Sequence, residues 1–284
     1  MSNIHEKVTW LIETYGTNDQ RTDAWHAKRG EMLTASEIYK TVSGATPAAR
    51  RELMMSKLTP RDTTPGPGAR ALIWGTQFEP IAKAIYEALH PGVKIVDTSC
   101  IPHPNHVFLG ASPDGILTCD DDRHGHLVEF KCPISRDFDD TTPVPPNYIH
   151  QMQLQMACTE LDVCQYAEFK FCVMKYSEWM DTEAEYKSVF IVLEDGTVMY
   201  KEHTDPREFV EWKDDVLKDR EIDPLTIQSV FWVLTKHRFQ TVHKDPEWVE
   251  THLPYFQKTW EEIREHRSAG TFPEHPSEKT KLVL

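Results

Sequence analysis

The sequence predicts a mixed α/β (α+β) sandwich, with a central mixed β-sheet flanked by helices. Three observations lead there. Apolar residues recur at helical spacing from Phe78 to Leu89, and a run of short β-type segments separated by turn residues occupies roughly residues 93–131. A further helical stretch near 148–160 is followed by more strand-like segments. Helices followed by strands, a helix and strands again argue for helices flanking one mixed sheet.

In chain order, residues 1–58 read as interrupted helices, one holding Trp10, Leu11 and Ile12 and another starting near a Thr34–Glu37 capping box. TPRDTTPGPGAR, residues 59–70, contains Pro65, Gly66, Pro67 and Gly68 in succession and reads as a loop. Phe78, Ile81, Ala82, Ile85 and Leu89 then form one apolar helix face, stopped by Pro91-Gly92. Strands are expected at Val93–Ile101, Val107–Leu109, Gly115–Cys119 and His126–Lys131. After the loop TTPVPPN comes a helix from Tyr148 to Glu160, with Asn147 as its cap. Tyr166–Met174 and Lys187–Leu193 read as strands, the latter followed by the hairpin turn Glu194–Thr197. From Asp205 the chain reads as mostly helical, including Trp248–Arg267 despite Pro254. The expected organisation is a core over residues 1–204 and a helical C-terminal extension over 205–284 packed on it.

With 284 residues and 39% hydrophobic content the chain can bury a substantial core. It carries no run of roughly 18 apolar residues of the kind that spans a membrane. MSNIHEKVTW lacks the basic and apolar blocks of a signal peptide, so an intracellular protein is expected. The six cysteines form no C-x-x-C pair, which argues for free thiols and against a structural zinc. An iron–sulfur cluster on Cys158, Cys164 and Cys172 stays open but would need unusually wide spacings. A net charge of −14 argues against a polyanionic partner, yet residues 21–70 hold nine Lys/Arg against five acids. That segment, with Arg29, Arg50 and Arg51, is expected to form an entrance for nucleic acid; an ordinary solvated face is the alternative.

The stretch GASPDGILTCDDDRHGHLVEFKCP, residues 110–133, carries the chemistry. Strand side chains alternate faces, so Glu129 and Lys131 share one side while Val128 and Phe130 take the other. A hairpin centred near Asp122 would set Asp114 across from Phe130, beside Glu129 and Lys131. Two carboxylates so placed repel unless a cation relieves them. Oxygen donors without clustered His or Cys favour magnesium or manganese over zinc. A neighbouring lysine can orient water and stabilise charge on a phosphate. The competing reading is a surface hairpin with an ordinary Lys131 salt bridge, worth at most about 1 kcal/mol.

Pro113-Asp114 followed by Glu129-Phe130-Lys131 resembles the PD-(D/E)xK nuclease superfamily. WHAKRGEMLTAS (residues 25–36), GTQFEP (75–80) and YIHQMQLQM (148–156) narrow the likeness to YqaJ-type viral recombinases and phage lambda-exonuclease relatives, over roughly residues 22–170. The resemblance implies a restriction-endonuclease-like core and an alkaline-type exonuclease that degrades one strand of linear duplex DNA, 5′ to 3′, in viral or phage recombination or genome processing. It implies two magnesium ions, with manganese as a substitute, held by Asp114, Glu129, the Phe130 carbonyl and Glu79. Lys131 would position the attacking water, Gln151 would align Lys131, and Arg29 with Ser36 would grip the terminal phosphate. It further implies duplex DNA with a free end as partner, a single-strand annealing protein, and a ring-shaped trimer. Rival explanations exist: Glu79 could close a capping box with Thr76, Gln151 could be a solvated helix residue, and Arg29 and Ser36 a surface charge and a cap-region hydroxyl. Trp25, Tyr148 and Trp248 read as core aromatics outside the site. A structure-specific endonuclease and a non-catalytic nucleic-acid-binding module are the alternative functions.

Overall fold

The computed structural model describes residues 3–17, 20–60, 68–220 and 222–275. Its helices are α1 (Ile4–Tyr15), α2 (Asp23–Gly30), α3 (Pro47–Leu58), α4 (Ala69–Leu89), α5 (Pro146–Thr159), α6 (Tyr176–Asp181), α7 (Phe209–Asp219) and α8 (Trp248–Ala269). Its strands are β1 (Leu33–Thr34), β2 (Lys94–Val96), β3 (Ile101–Pro102), β4 (Leu109–Ala111), β5 (Gly115–Thr118), β6 (Leu127–Lys131), β7 (Val163–Met174), β8 (Lys187–Val192), β9 (Val198–Tyr200) and β10 (Gln228–His243). The main sheet runs β2-β5-β6-β7-β10-β8-β9, and β1-β4-β3 form a small second sheet. In the main sheet β6 and β7 are parallel, joined through α5, and the other pairings are antiparallel.

Alternation along the strands divides the main sheet into two unlike faces. Val128 and Phe130 of β6, with Ala167, Phe169 and Phe171 of β7, pack against Phe78, Ile81, Ile85 and Tyr86 of α4. Phe78, Ile85 and Phe169 are fully buried, each contributing roughly 2–3 kcal/mol by area removed from water. Leu127, Cys164 and Tyr166 face the other way, onto Met152, Leu154 and Met156 of α5. Helix α5 lies between the main sheet and the small one, so every residue from Gln151 to Thr159 is buried. A helix enclosed on all sides needs partners for its polar side chains, and its glutamines find them in the site described below.

Several elements depart from expectation. Helix α4 begins at Ala69, well before Phe78, because its first turns expose Leu72 and Ile73 and so carry no apolar face to read. Thr76 and Glu79 therefore lie inside the helix, and no capping box joins them. Helix α5 starts at Pro146 with Pro145 at the cap position, so Asn147 is not its cap; a proline in the first turn loses no helical bond. Of the proline-rich stretch 59–70, residues 61–67 lie outside the described residues.

The largest departure is β10. Helices α7 and α8 are the expected helical part of the C-terminal region, but the sixteen residues Gln228–His243 insert between β7 and β8 in the main sheet. A register shift between Leu234 and Lys236 hides this strand from a period-two reading. Before the shift the even residues Val230, Trp232 and Leu234 face α4; after it the odd residue Phe239 does, and Arg238 turns to the α5 side. Among the described residues no helix is long and apolar enough to cross a membrane.

Candidate active site

The hairpin of β5 and β6 brings the first acid into place. Its register pairs Gly115 with Val128 and Ile116 with Leu127, one residue away from the expected pairing. The cause is the turn: Gly125 has φ 83°, and Leu117 both donates to the His126 carbonyl and accepts from the Gly125 amide. Continued by one residue, this register sets Asp114 opposite Glu129 instead of Phe130. The Phe130 amide donates to Asp114 Oδ2 at 2.7 Å and pins the carboxylate at the open end of the hairpin.

Glu129 sits at the centre of the cluster and is 1% exposed. Gln151 Nε2 donates to its Oε1 and Gln155 Nε2 to its Oε2, both at 2.6 Å. The Lys131 ammonium pairs with Glu129 Oε1, reaches Gln151 Oε1 at 3.4 Å, and rests 4.6 Å from the centre of the Tyr148 ring. Gln151 and Gln155 are one turn apart on α5, so both reach β6. Gln153, on the other side of the helix, donates to the His243 carbonyl and ties down the end of β10.

Burial, the Glu129 carboxylate and then that of Glu79 push the Asp114 carboxyl well above its ordinary range. Burial also opposes the charge of Lys131, but the Glu129 and Asp114 carboxylates outweigh it and hold the ammonium above the ordinary lysine value. Such a group of acids is relieved by positive charge, and its donors are all oxygen, which suits a hard divalent ion. Among the described residues no group of three or more His, Cys, Asp or Glu side chains is arranged as a ready metal cage.

One cleft of about 440 Å³ is lined by all eight residues singled out in the sequence: Arg29, Ser36, Glu79, Asp114, Glu129, Phe130, Lys131 and Gln151. Glu79 of α4 is held by Arg21 at 2.5 Å and Lys83 at 3.2 Å. Across the cleft Arg29 Nη2 donates to Ser36 Oγ at 2.8 Å and Thr34 Oγ1 at 3.0 Å, and its guanidinium lies 4.3 Å from the Trp25 ring centre. Burial lowers the Arg29 pKa, partly offset by Glu37.

Arg50 and Arg51 do not line this cleft. Arg50 is bound to Thr259 and Glu262 of α8, and Arg51 to the Pro273 carbonyl, so neither forms the expected entrance. Trp25 and Tyr148 line the cleft, whereas Trp248 is buried elsewhere against His150. Gln155 and Arg21 were not foreseen as site residues. The four-residue spacing from Gln151 could have marked Gln155, but Arg21 has no local signal.

Also unforeseen was the neighbour of Lys131 on β7, Glu168, which faces it in the parallel register. Glu168 is fully buried and meets Arg238 of β10 at 2.7 Å and Arg136 from the loop after Lys131. Arg238 also donates to the Asp139 and Thr142 carbonyls, and Lys170 to those of Pro133, Ile134 and Arg136. Strands β7 and β10 thus hold the segment that links Lys131 to α5.

Residues 24–162 match the family model of the YqaJ-like viral recombinase domain. An uncharacterised protein of Acanthamoeba polyphaga mimivirus is 26% identical over 174 residues, covering 57% of this chain and 31% of that protein. The chain therefore spans about a third of the length of this curated relative. Among solved structures, the alkaline exonuclease of Laribacter hongkongensis superposes with a TM-score of 0.52 at 20% identity, covering 92% of this chain and 100% of that one. A SOX–DNA complex superposes with a TM-score of 0.50 at 9% identity, covering 99% of this chain and 76% of that one. These likenesses show a shared fold of the restriction-endonuclease-like type. The motifs and the match thus agree over residues 24–162, just under half of the chain, and this stretch is similar to the YqaJ-like viral recombinase domain.

Proposed function

We propose that the protein is a divalent-metal-dependent DNA exonuclease that removes nucleotides from one strand of linear duplex DNA, 5′ to 3′, in viral or phage recombination or genome processing. The observation that carries this reading is the meeting of Asp114, Glu129, Lys131 and Gln151 with Arg29 and Ser36 in one cleft. An alkaline exonuclease and a DNA-bound protein share its fold, which supports a nucleic-acid substrate.

Asp114, Glu129, the Phe130 carbonyl and Glu79 are the residues that would hold two magnesium ions, or manganese in their place. The bound ions would supply Lewis acidity, making water a better nucleophile and stabilising the leaving oxygen. Lys131, anchored by Glu129 and Gln151, holds the attacking water in line and donates to the phosphate as charge builds on it. Gln151 and Gln155 fix the Glu129 carboxylate, so its oxygens need no reorganisation during the reaction. Arg29 and Ser36 grip the phosphate at the strand end and set which linkage reaches Lys131. Trp25, beneath the Arg29 guanidinium, offers an aromatic face to a base. A free duplex end is the substrate, and a single-strand annealing protein is the partner for the strand left behind.

The test is digestion of end-labelled linear duplex beside a covalently closed circle, with magnesium, manganese or chelator. Loss of the linear form from its 5′ end, an intact circle and no activity in chelator are expected. Cleavage of the circle would point instead to an endonuclease on this fold, and activity in chelator would reject the metal.

A further inference from the structure

Arg29 stands between two cavities. Its guanidinium reaches the candidate active site, while behind it lies a second cavity of about 810 Å³ bounded by Gly30, Glu37, Lys57 and Arg267. From that side its main chain is held. Lys57 Nζ donates to the Arg29 carbonyl at 2.9 Å and pairs with Glu37 Oε1 at 2.5 Å, and Glu37 accepts from the Thr34 amide at 2.9 Å. Thr34 is in turn the second hydroxyl bound by Arg29. The Lys57 side chain is 6% exposed; burial disfavours its charge, and Glu37 opposes that effect.

Arg267, in the last turn of α8, closes the group. Its Nη2 donates to the Gly30 carbonyl at 2.8 Å and the Lys57 carbonyl at 3.1 Å, and its Nη1 pairs with Glu31 at 3.1 Å. Gly30 and Lys57 lie at the C-terminal ends of α2 and α3, where unpaired carbonyls and the helix dipoles attract a cation. One nitrogen of the guanidinium spans both helix ends while the other holds Glu31, so the planar fork ties three groups together. A buried ammonium and a forked guanidinium are thus spent on the backbone that carries Arg29, not on the cleft itself.

We infer that Lys57 and Arg267 are positioning residues for Arg29, so that α8, outside the matched family domain, sets how firmly the protein holds the terminal phosphate of a DNA strand. This rests on the reading of Arg29 and Ser36 as the phosphate grip. It makes residues of the C-terminal region part of end recognition, with no contact of their own to the substrate.

The experiment compares kcat and KM of the full chain on linear duplexes bearing a 5′ phosphate or a 5′ hydroxyl. Arg29→Ala should bring the ratio of kcat/KM on the two ends close to one. Arg267→Ala and Lys57→Met should each lower that ratio about fivefold, a modest loss of binding free energy, through a higher KM for phosphorylated ends. Lys57→Met guards against a fold loosened by Arg267→Ala, since it leaves every bond of Arg267 in place and removes only the ammonium that holds the Arg29 carbonyl and Glu37. An unchanged ratio in both variants, or an equal loss of kcat on both ends, overturns the inference, while loss of the ratio in Arg29→Ala keeps the phosphate grip itself standing. If Arg29→Ala retains the ratio, the grip is misassigned and the inference falls with it.

Discussion

The two faces of the main sheet are built from the same strands and do opposite work. On the α4 side, Val128, Phe130, Ala167, Phe169 and Phe171 meet an aromatic layer with hardly a polar atom. On the α5 side, the residues between them are the buried charges Glu129 and Glu168 and the half-buried Lys131, held by Gln151, Gln155, Arg136 and Arg238. One face supplies the stability against which the other can keep ionised groups out of water. Strand alternation lets a single residue step separate core from chemistry.

The comparison breaks most visibly at Lys131. Lys131→Ala should lower cleavage about a thousandfold or more, the scale of losing a donor to the reacting phosphate, while DNA binding by gel shift stays largely intact. Full activity in that variant would return the polar face to a structural role.

A second and smaller effect belongs to the buried pair on β7 and β10. Glu168→Gln strands Arg238, which is 4% exposed, and should destabilise the fold by about 3–5 kcal/mol in urea unfolding. Glu168→Leu combined with Arg238→Met should recover most of that stability yet leave cleavage impaired, because Arg238 no longer holds the Asp139 and Thr142 carbonyls. A double variant with normal turnover would show the pair to be structural alone.

These residues also mark where the sequence became opaque. The Asp114, Glu129 and Lys131 cluster was legible because a hairpin and strand alternation are local, and Gln151 because α5 follows directly. Even there a turn with a positive-φ glycine moved the register by one residue. Glu168 and Arg238 carried no such signal: their partnership spans seventy residues, and the shift after Leu234 reverses which residues of β10 face the site. Arg29 and Ser36 could be read from the family motif, but Lys57 and Arg267 reach the backbone around Arg29 only through the tertiary packing of α3 and α8.

The smallest expected effect lies away from both faces. Burial, and then His106, lower the His103 pKa from 6.5 to about 4. Between those values the unfolded chain binds a proton that the folded chain does not, so stability should fall as pH drops from 6.5 to 4. His103→Gln should flatten that part of a Tm against pH curve, and an unchanged slope would mean that another group titrates there.

The claim on which the rest depends is that the polar face gathers Asp114 and Glu129 to hold a hard divalent ion. Calorimetric titration of the purified protein with manganese tests it most directly, beside Asp114→Asn and Glu129→Gln. Saturable binding to the parent protein, weakened at least tenfold in each variant as a direct ligand loss requires, is the predicted result. Equal binding by all three proteins, or none by the parent, would contradict it.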